Sequence, residues 1–306
     1  MQVKTIKRII TKKMEDWISS IDDENLRADV KSNLLVSGGS IASMFLQEKV
    51  NDYDVYIKDM DVLLRLVKYY VGPHNIEIFD GRERLSLVKK LEFDYDSDEK
   101  EINNARAIAI RTLKDDQIKI HAGGGIRMEE NEENEEEEGS EKDQKDSSKY
   151  RLLFVSPNAL SLSDDVQIVC RFHGNAEQIH KTFDFIHATN YFTFEEGLVT
   201  NVKALQSLLT RQLYYQGSLY PLTSIIRSKK FIKRGWNISA GEYLKIMFQI
   251  SELDLKNPDV LDEQLIGVDV AYFSTLISIL RGRDENEGPI TSTYLNEIID
   301  RVFSEE

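Results

Sequence analysis

An apolar run that stops at a double glycine and resumes as a strand carrying two aspartates constrains this chain more than any other stretch. Residues 34–37 read Leu34-Leu35-Val36-Ser37. Gly38-Gly39-Ser40 and a short amphipathic segment from Ile41 to Gln47 follow, and then Asp52-Tyr53-Asp54-Val55-Tyr56-Ile57. Strand side chains alternate faces, so Asp52 and Asp54 project from one side while Tyr53 and Val55 point to the other. Two carboxylates that close repel, and each favours its protonated form unless a cation sits between them. A hard divalent ion with oxygen ligands, Mg2+ or Mn2+, suits them. A Gly-Gly-Ser turn entering a helix offers unpaired amides and a positive dipole end to a phosphate. Acids for a metal beside amides for a phosphate predict a nucleotide-handling site built from Gly38, Gly39, Ser40, Asp52 and Asp54.

The surrounding pattern predicts an α+β fold in two domains. Ile6, Ile9, Ile10, Met14, Trp17 and Ile18 recur at helical spacing, and a second short helix is expected over Glu24 to Ser32. Asp59 and Asp61 open a further helix that runs to Tyr70, stopped by Gly72-Pro73. Alternating segments then follow at Ile76–Phe79, Ala105–Arg111, Gln117–His121, Tyr150–Val155, Val166–Phe172 and Phe183–Phe194, which predict a mixed sheet. Beyond Asn201 the pattern turns helical: Val202–Tyr215, Thr223–Lys233, Ala240–Leu253, Pro258–Leu265, Val270–Leu280 and Thr291–Phe303. The expected division is therefore a catalytic domain over 1–200 and a helical domain over 201–306.

Order, spacing and the apolar setting of Gly-Gly-Ser, an eleven-residue spacer and Asp-x-Asp resemble the nucleotidyltransferase superfamily typified by DNA polymerase beta. That superfamily also holds poly(A) polymerases, CCA-adding enzymes and aminoglycoside nucleotidyltransferases. The resemblance implies a mixed-sheet catalytic domain followed by a helical one. It also implies a third acid on a neighbouring strand, for which Asp184 in Phe183-Asp184-Phe185-Ile186 is the best match and Asp164 and Asp165 the reserves. Lys181 to Ala188 is faintly similar to a CCA-adding-enzyme segment, sharing Asp, Phe and Ala but lacking its arginine pair. Gln167 to Asn190 and the Gly235-Trp236 region resemble nucleotidyltransferase-like proteins of tailed bacteriophages. The activity so implied is transfer of a nucleoside monophosphate from a nucleoside triphosphate such as ATP to an acceptor hydroxyl. Two ions about 3.5–4 Å apart, held by Asp52, Asp54 and Asp184, would clamp the entering and leaving oxygens, and Asp184 could take the proton. The acceptor stays open among an RNA end, a protein side chain, a small molecule and a second nucleotide. A non-catalytic nucleotide- or RNA-binding relative of the same fold is the alternative.

Charge bears on the acceptor. The chain of 306 residues carries a net −14, yet eleven acids against Lys142 and Lys145 between 129 and 146 account for most of it. That stretch is too polar to fold and predicts a disordered insertion at about 127–149. Conversely, Arg227, Lys229, Lys230, Lys233 and Arg234 fall within eight residues without an acid. On a helix Arg227, Lys230 and Arg234 share a face, suited to a triphosphate or an RNA backbone. Ile225, Ile226 and Ile232 would anchor that helix, and Phe231 or Trp236 could stack on a base. A solvated basic face is the plainer reading. A single cysteine, Cys170, excludes an internal disulfide and fits a reducing cytoplasm. No apolar run is long enough to span a membrane, and no zinc or Gly-x-Ser-x-Gly pattern occurs.

Overall fold

The computed structural model describes residues 2–74, 77–80, 107–112, 118–121, 126–127, 149–156, 158–265, 271–282 and 290–303. The acidic stretch 129–148 and Gly123 to Gly125 lie outside them. By packing the chain divides into two compact units, one of Met1–Ile179 with Ala188–Asn201, the other of His180–His187 with Val202–Glu306.

The first unit is built on an eight-stranded mixed sheet. In chain order its opening elements are α1 (Val3–Ser19), α2 (Glu24–Asn33), β1 (Leu34–Ser37), α3 (Gly39–Leu46), β2 (Tyr53–Ile57) and α4 (Met60–Val71). A separate three-stranded sheet holds β3 (Glu77–Asp80), β4 (Ala107–Thr112) and β5 (Ile118–His121). The main sheet is completed by β6 (Ile126–Arg127), β7 (Leu152–Val155), β8 (Ala159–Leu162), β9 (Val166–Val169), β10 (Tyr191–Thr193) and β11 (Gly197–Val199), with helix α5 (Ala176–His180) after β9. Its strand order is β11-β10-β1-β2-β9-β8-β7-β6. Within this sheet, among the described residues, β2 and β9 pair in parallel and the other ladders are antiparallel.

One sheet face is apolar and covered. Leu34, Val36, Tyr53, Val55, Ile57, Val166, Ile168, Leu160 and Leu162 join a core with Ile6, Ile10, Met14 and Trp17 of α1 and Leu63, Leu66 and Val67 of α4. Burying each large aliphatic or aromatic side chain is worth about 1.5–3 kcal/mol, and Trp17 keeps its indole N–H satisfied by the Tyr70 hydroxyl at 2.8 Å. Asp59 caps α4 by accepting from the Val62 amide at 3.0 Å, the role its position predicts. Cys170 is a free, fully buried thiol.

The expected strand Phe183–Phe194 does not form. Its residues divide between a bridge of Phe185 to Tyr215, a 3-10 turn over Ile186–Ala188 and the short strand β10. The reason is that its two largest anchors are buried in different units. Phe192 lies in the sheet core, whereas Phe185 packs edge-on to Tyr215 and Phe231. Backbone bonds from Ile186 N to the Tyr214 carbonyl and from Gln216 N to the Asp184 carbonyl, both 3.0 Å, tie residues 180–187 to the second unit.

That unit comprises α6 (Val202–Thr210), β12 (Gln212–Leu213), α7 (Pro221–Lys233), β13 (Asn237–Ile238), α8 (Ala240–Ser251), α9 (Pro258–Gln264), α10 (Ala271–Arg281) and α11 (Ser292–Phe303). Helix α6 stops earlier than its periodicity predicts, because Arg211 adopts a left-handed φ of 50° and the chain continues into a parallel β12–β13 bridge. Pro221 starts α7, where a missing amide costs nothing. Among the described residues no helix is long and apolar enough to cross a membrane.

Candidate functional site

Antiparallel pairing sets Val36 opposite Val55, so the end of β1 and the start of β2 meet at the glycine corner. Asp54 stands on the face away from the core, and Asp52 precedes the strand with the same parity. Gly38 has φ +94°, and a Cβ built there would lie 2.9 Å from Asp54 Oδ2. Glycine is thus required twice, for its backbone conformation and for the close approach of the carboxylate. The corner is pinned from behind: the Gly38 amide donates to the Ala188 carbonyl at 3.1 Å, and Ser37 Oγ donates to the Asn190 carbonyl at 2.9 Å.

Helix α3 begins directly at this corner and has no side-chain cap. The first-turn amides of Gly39 and Ser40 therefore lack intrahelical acceptors, and the Gly38 amide, being engaged, is not among the donors on offer. Ser40 is 2% exposed, and its Oγ has no hydrogen-bond partner among the described residues. A buried, unsatisfied hydroxyl at a helix start is an anion-binding feature, since leaving it unpaired carries a desolvation penalty.

The acids are electrostatically loaded. Burial, then the Asp52 charge, pushes the Asp54 carboxyl up to about 7. Asp52 is also raised, by burial first and by Asp165 second. Asp165 arrives through the β8–β9 turn, where it and Asp164 take left-handed φ values of 59° and 57°, and its carbonyl accepts from the Tyr53 amide at 2.7 Å. The reserve acid thus lies beside Asp52, within the turn its sequence predicts. On the same sheet face Gln167 stands directly across from Asp54, and Ser161 across from Gln167. Sequence reasoning overlooked both; the polar Gln167 within Val166–Val169 was the only signal, and it carried no partner.

Asp184 belongs to the second unit. Its Oδ1 accepts from the Phe185 amide at 3.0 Å, and Oδ2 pairs with Arg227 at 3.2 Å. Arg227, expected to face a triphosphate, thus sets one guanidinium nitrogen on a carboxylate while its side chain stays 39% exposed. Lys229, Lys230, Lys233 and Arg234 are exposed. The buried side of α7 is Thr223, Ser224 and Ser228, while Ile232 is 47% exposed. The expected isoleucine anchor therefore holds in part: Ile226 packs against the core of Leu261, Leu265 and Leu276, Ile232 does not, and the small hydroxyls let α8 approach closely while satisfying themselves on the Gln264, Tyr220 and Ile225 carbonyls. Trp236 is 5% exposed and packs on His187 and Phe231, so it is not available to stack on a base. His187 is buried with them, and burial, ahead of Arg234 and against Asp184, pushes it down to about 4. Among the described residues no group of three or more His, Cys, Asp or Glu side chains is arranged to hold a metal ion.

Comparison with known proteins gives the following. The chain is 22% identical over 138 residues to "Gabija anti-defense 2" of Bacillus phage SPbetaL7, a match covering 44% of this chain and 34% of the relative, so it spans about a third of that protein's length. Among solved structures it is similar to the Thermotoga maritima CCA-adding enzyme complexed with tRNA, with a TM-score of 0.43 and 11% identity, covering all of this chain and 57% of that one. A tRNA-processing enzyme with CTP gives a TM-score of 0.36 and 10% identity over 87% of this chain and 54% of that one. The family model for Gabija anti-defense 2 proteins matches residues 8–211, a span that contains the whole glycine corner, Asp52 and Asp54. The chain belongs to the Gabija anti-defense 2 family.

Proposed function

We propose that this protein is a nucleotidyltransferase-type enzyme that binds a nucleoside triphosphate and a divalent cation at the Gly38 corner and acts in anti-defence. The observation that carries the reading is the contact of Gly38 with Asp54: an uncapped helix start with a buried, unpartnered Ser40 hydroxyl lies against a carboxylate lifted to about 7. A phosphate and a cation would each remove one of those penalties. The donor set fits Mg2+ or Mn2+, since Asp52 and Asp54 are hard oxygen ligands with no ion-pair partner among the described residues. When bound, such an ion supplies charge neutralisation at transferring phosphates.

The chain's own residues divide the work. The Gly39 and Ser40 amides and Ser40 Oγ receive phosphate oxygens, and Gly38 keeps the carboxylate close to them. Asp52 and Asp54 hold the cation. Asp184 is left out of that set, because Arg227 already neutralises it. The exposed Lys229, Lys230 and Lys233 of α7, with Arg234, offer an anionic partner such as an RNA end a sequence-tolerant contact. Membership of the Gabija anti-defense 2 family supports directing that activity against the Gabija defence system.

A second reading, a non-catalytic nucleotide-binding relative, is favoured by the Asp184–Arg227 pair and by the absence of a three-acid group among the described residues. Calorimetric titration of ATP with and without Mg2+, on the protein and on Asp52→Ala/Asp54→Ala, separates the two. Metal-dependent binding lost in the double variant, with label passing from a triphosphate to an acceptor in total RNA, supports the enzyme. Metal-independent binding unchanged in the variant supports the binding module. Plating phage on cells that carry Gabija and express each form tests whether anti-defence needs the acids.

A further inference from the structure

The face of the sheet that bears Asp54 continues across two more strands. Strands β2 and β9 are parallel, with Asp54 opposite Gln167, and β9 and β8 are antiparallel, with Gln167 opposite Ser161. Alternation gives these three residues one face, because their neighbours Tyr53, Val55, Val166, Ile168, Leu160 and Leu162 are all in the core on the other. Gln167 Nε2 donates to Ser161 Oγ at 3.5 Å. The amide nitrogen is thus directed along the sheet towards β8, and the pairing register sets Gln167 itself opposite Asp54 on the β2 side. Adjacent strands lie about 4.8 Å apart, and a cation with oxygen ligands at about 2.0–2.6 Å fits between side chains at that spacing.

We propose that Gln167 is a third, neutral oxygen ligand of the cation held by Asp52 and Asp54, oriented by Ser161. The inference rests on the reading of Asp52 and Asp54 as metal ligands. An amide at this position completes the oxygen set without adding a third negative charge to a pair that is already repelling. Ser161 is a positioning residue: its hydroxyl accepts from the amide nitrogen and so selects which end of the amide faces the acids.

The test is Mn2+ binding to the nucleotide-free full chain, followed by calorimetry, with thermal melting to confirm folding of every variant. Gln167→Met keeps the volume and removes the oxygen; affinity should fall on the order of tenfold or more, as for loss of groups that orient a ligand. Gln167→Glu should tighten binding. Ser161→Ala should weaken it by a smaller factor, while Ser161→Asp, which adds charge one strand further away, should fail to reproduce the gain from Gln167→Glu. If the protein binds Mn2+, Asp54→Asn abolishes binding and both Gln167 variants bind like the parent, Gln167 is only a bridge to Ser161 and the inference is wrong while the acid pair stands. If the parent binds no Mn2+ at all, the acid-pair reading fails and takes the inference with it.

Discussion

Replacing Asp54 by Asn should make the metal-free protein more stable at neutral and alkaline pH. Each tenfold change in proton affinity corresponds to about 1.4 kcal/mol. A carboxyl lifted from 3.8 to about 7 by burial and by Asp52 therefore penalises folding by up to about 4 kcal/mol once it is ionised. That figure is an upper bound, because the side chain is only partly buried and water screens part of the repulsion. The folded-state value exceeds the unfolded one, so the folded chain holds the extra proton between them. Stability is then fully present below about pH 4, falls as pH rises towards 7, and is flat above. Asn keeps the shape and removes the titration. Urea unfolding from pH 4 to 8 should show the two proteins alike at pH 4 and the variant ahead at pH 8. Added Mg2+ should raise the midpoint of the parent and leave Asp54→Asn unmoved. Parallel pH profiles with no response to Mg2+ would refute the idea that an uncompensated acid pair is held at the corner.

Three further outcomes are expected. Gly38→Ala forces an L-residue into φ +94° and drives a Cβ against Asp54 Oδ2, so equilibrium unfolding should show a loss of about 1–3 kcal/mol and calorimetry a weaker affinity for Mg-ATP. His187, pushed down from 6.5 to about 4, binds fewer protons folded than unfolded. Its contribution of about 3 kcal/mol is complete above pH 6.5 and is lost as pH falls through 4; thermal melts of His187→Phe should show that acid limb flattened. Arg227→Ala leaves the 13%-exposed Asp184 carboxylate without its cation and should cost about 1–3 kcal/mol in denaturant titrations, whereas Lys230→Ala, at an exposed position, should cost less than about 0.5 kcal/mol.

Local chemistry determined a good deal of this protein from sequence alone. A double glycine after an apolar run specifies a corner, because no other residue tolerates that φ beside a carboxylate. Asp-x-Asp in a strand places both acids on one face, since alternation is a property of any extended chain. Asp59 ahead of an amphipathic run specifies a helix start, for reasons confined to one turn of backbone. Partners distant in sequence were another matter. That Asp184 meets Arg227, that Phe185 and Phe192 leave one aromatic run for two different cores, and that Gln167 comes to stand beside Asp54 depend on strand pairing and side-chain burial. Such contacts depend on which surfaces exclude water together, and periodicity reports only that a face is apolar, not which other face will cover it. The corner could therefore be read directly, while the groups that surround it, and the helix face of Thr223, Ser224 and Ser228 that is buried where Ile232 was expected, were decided by packing.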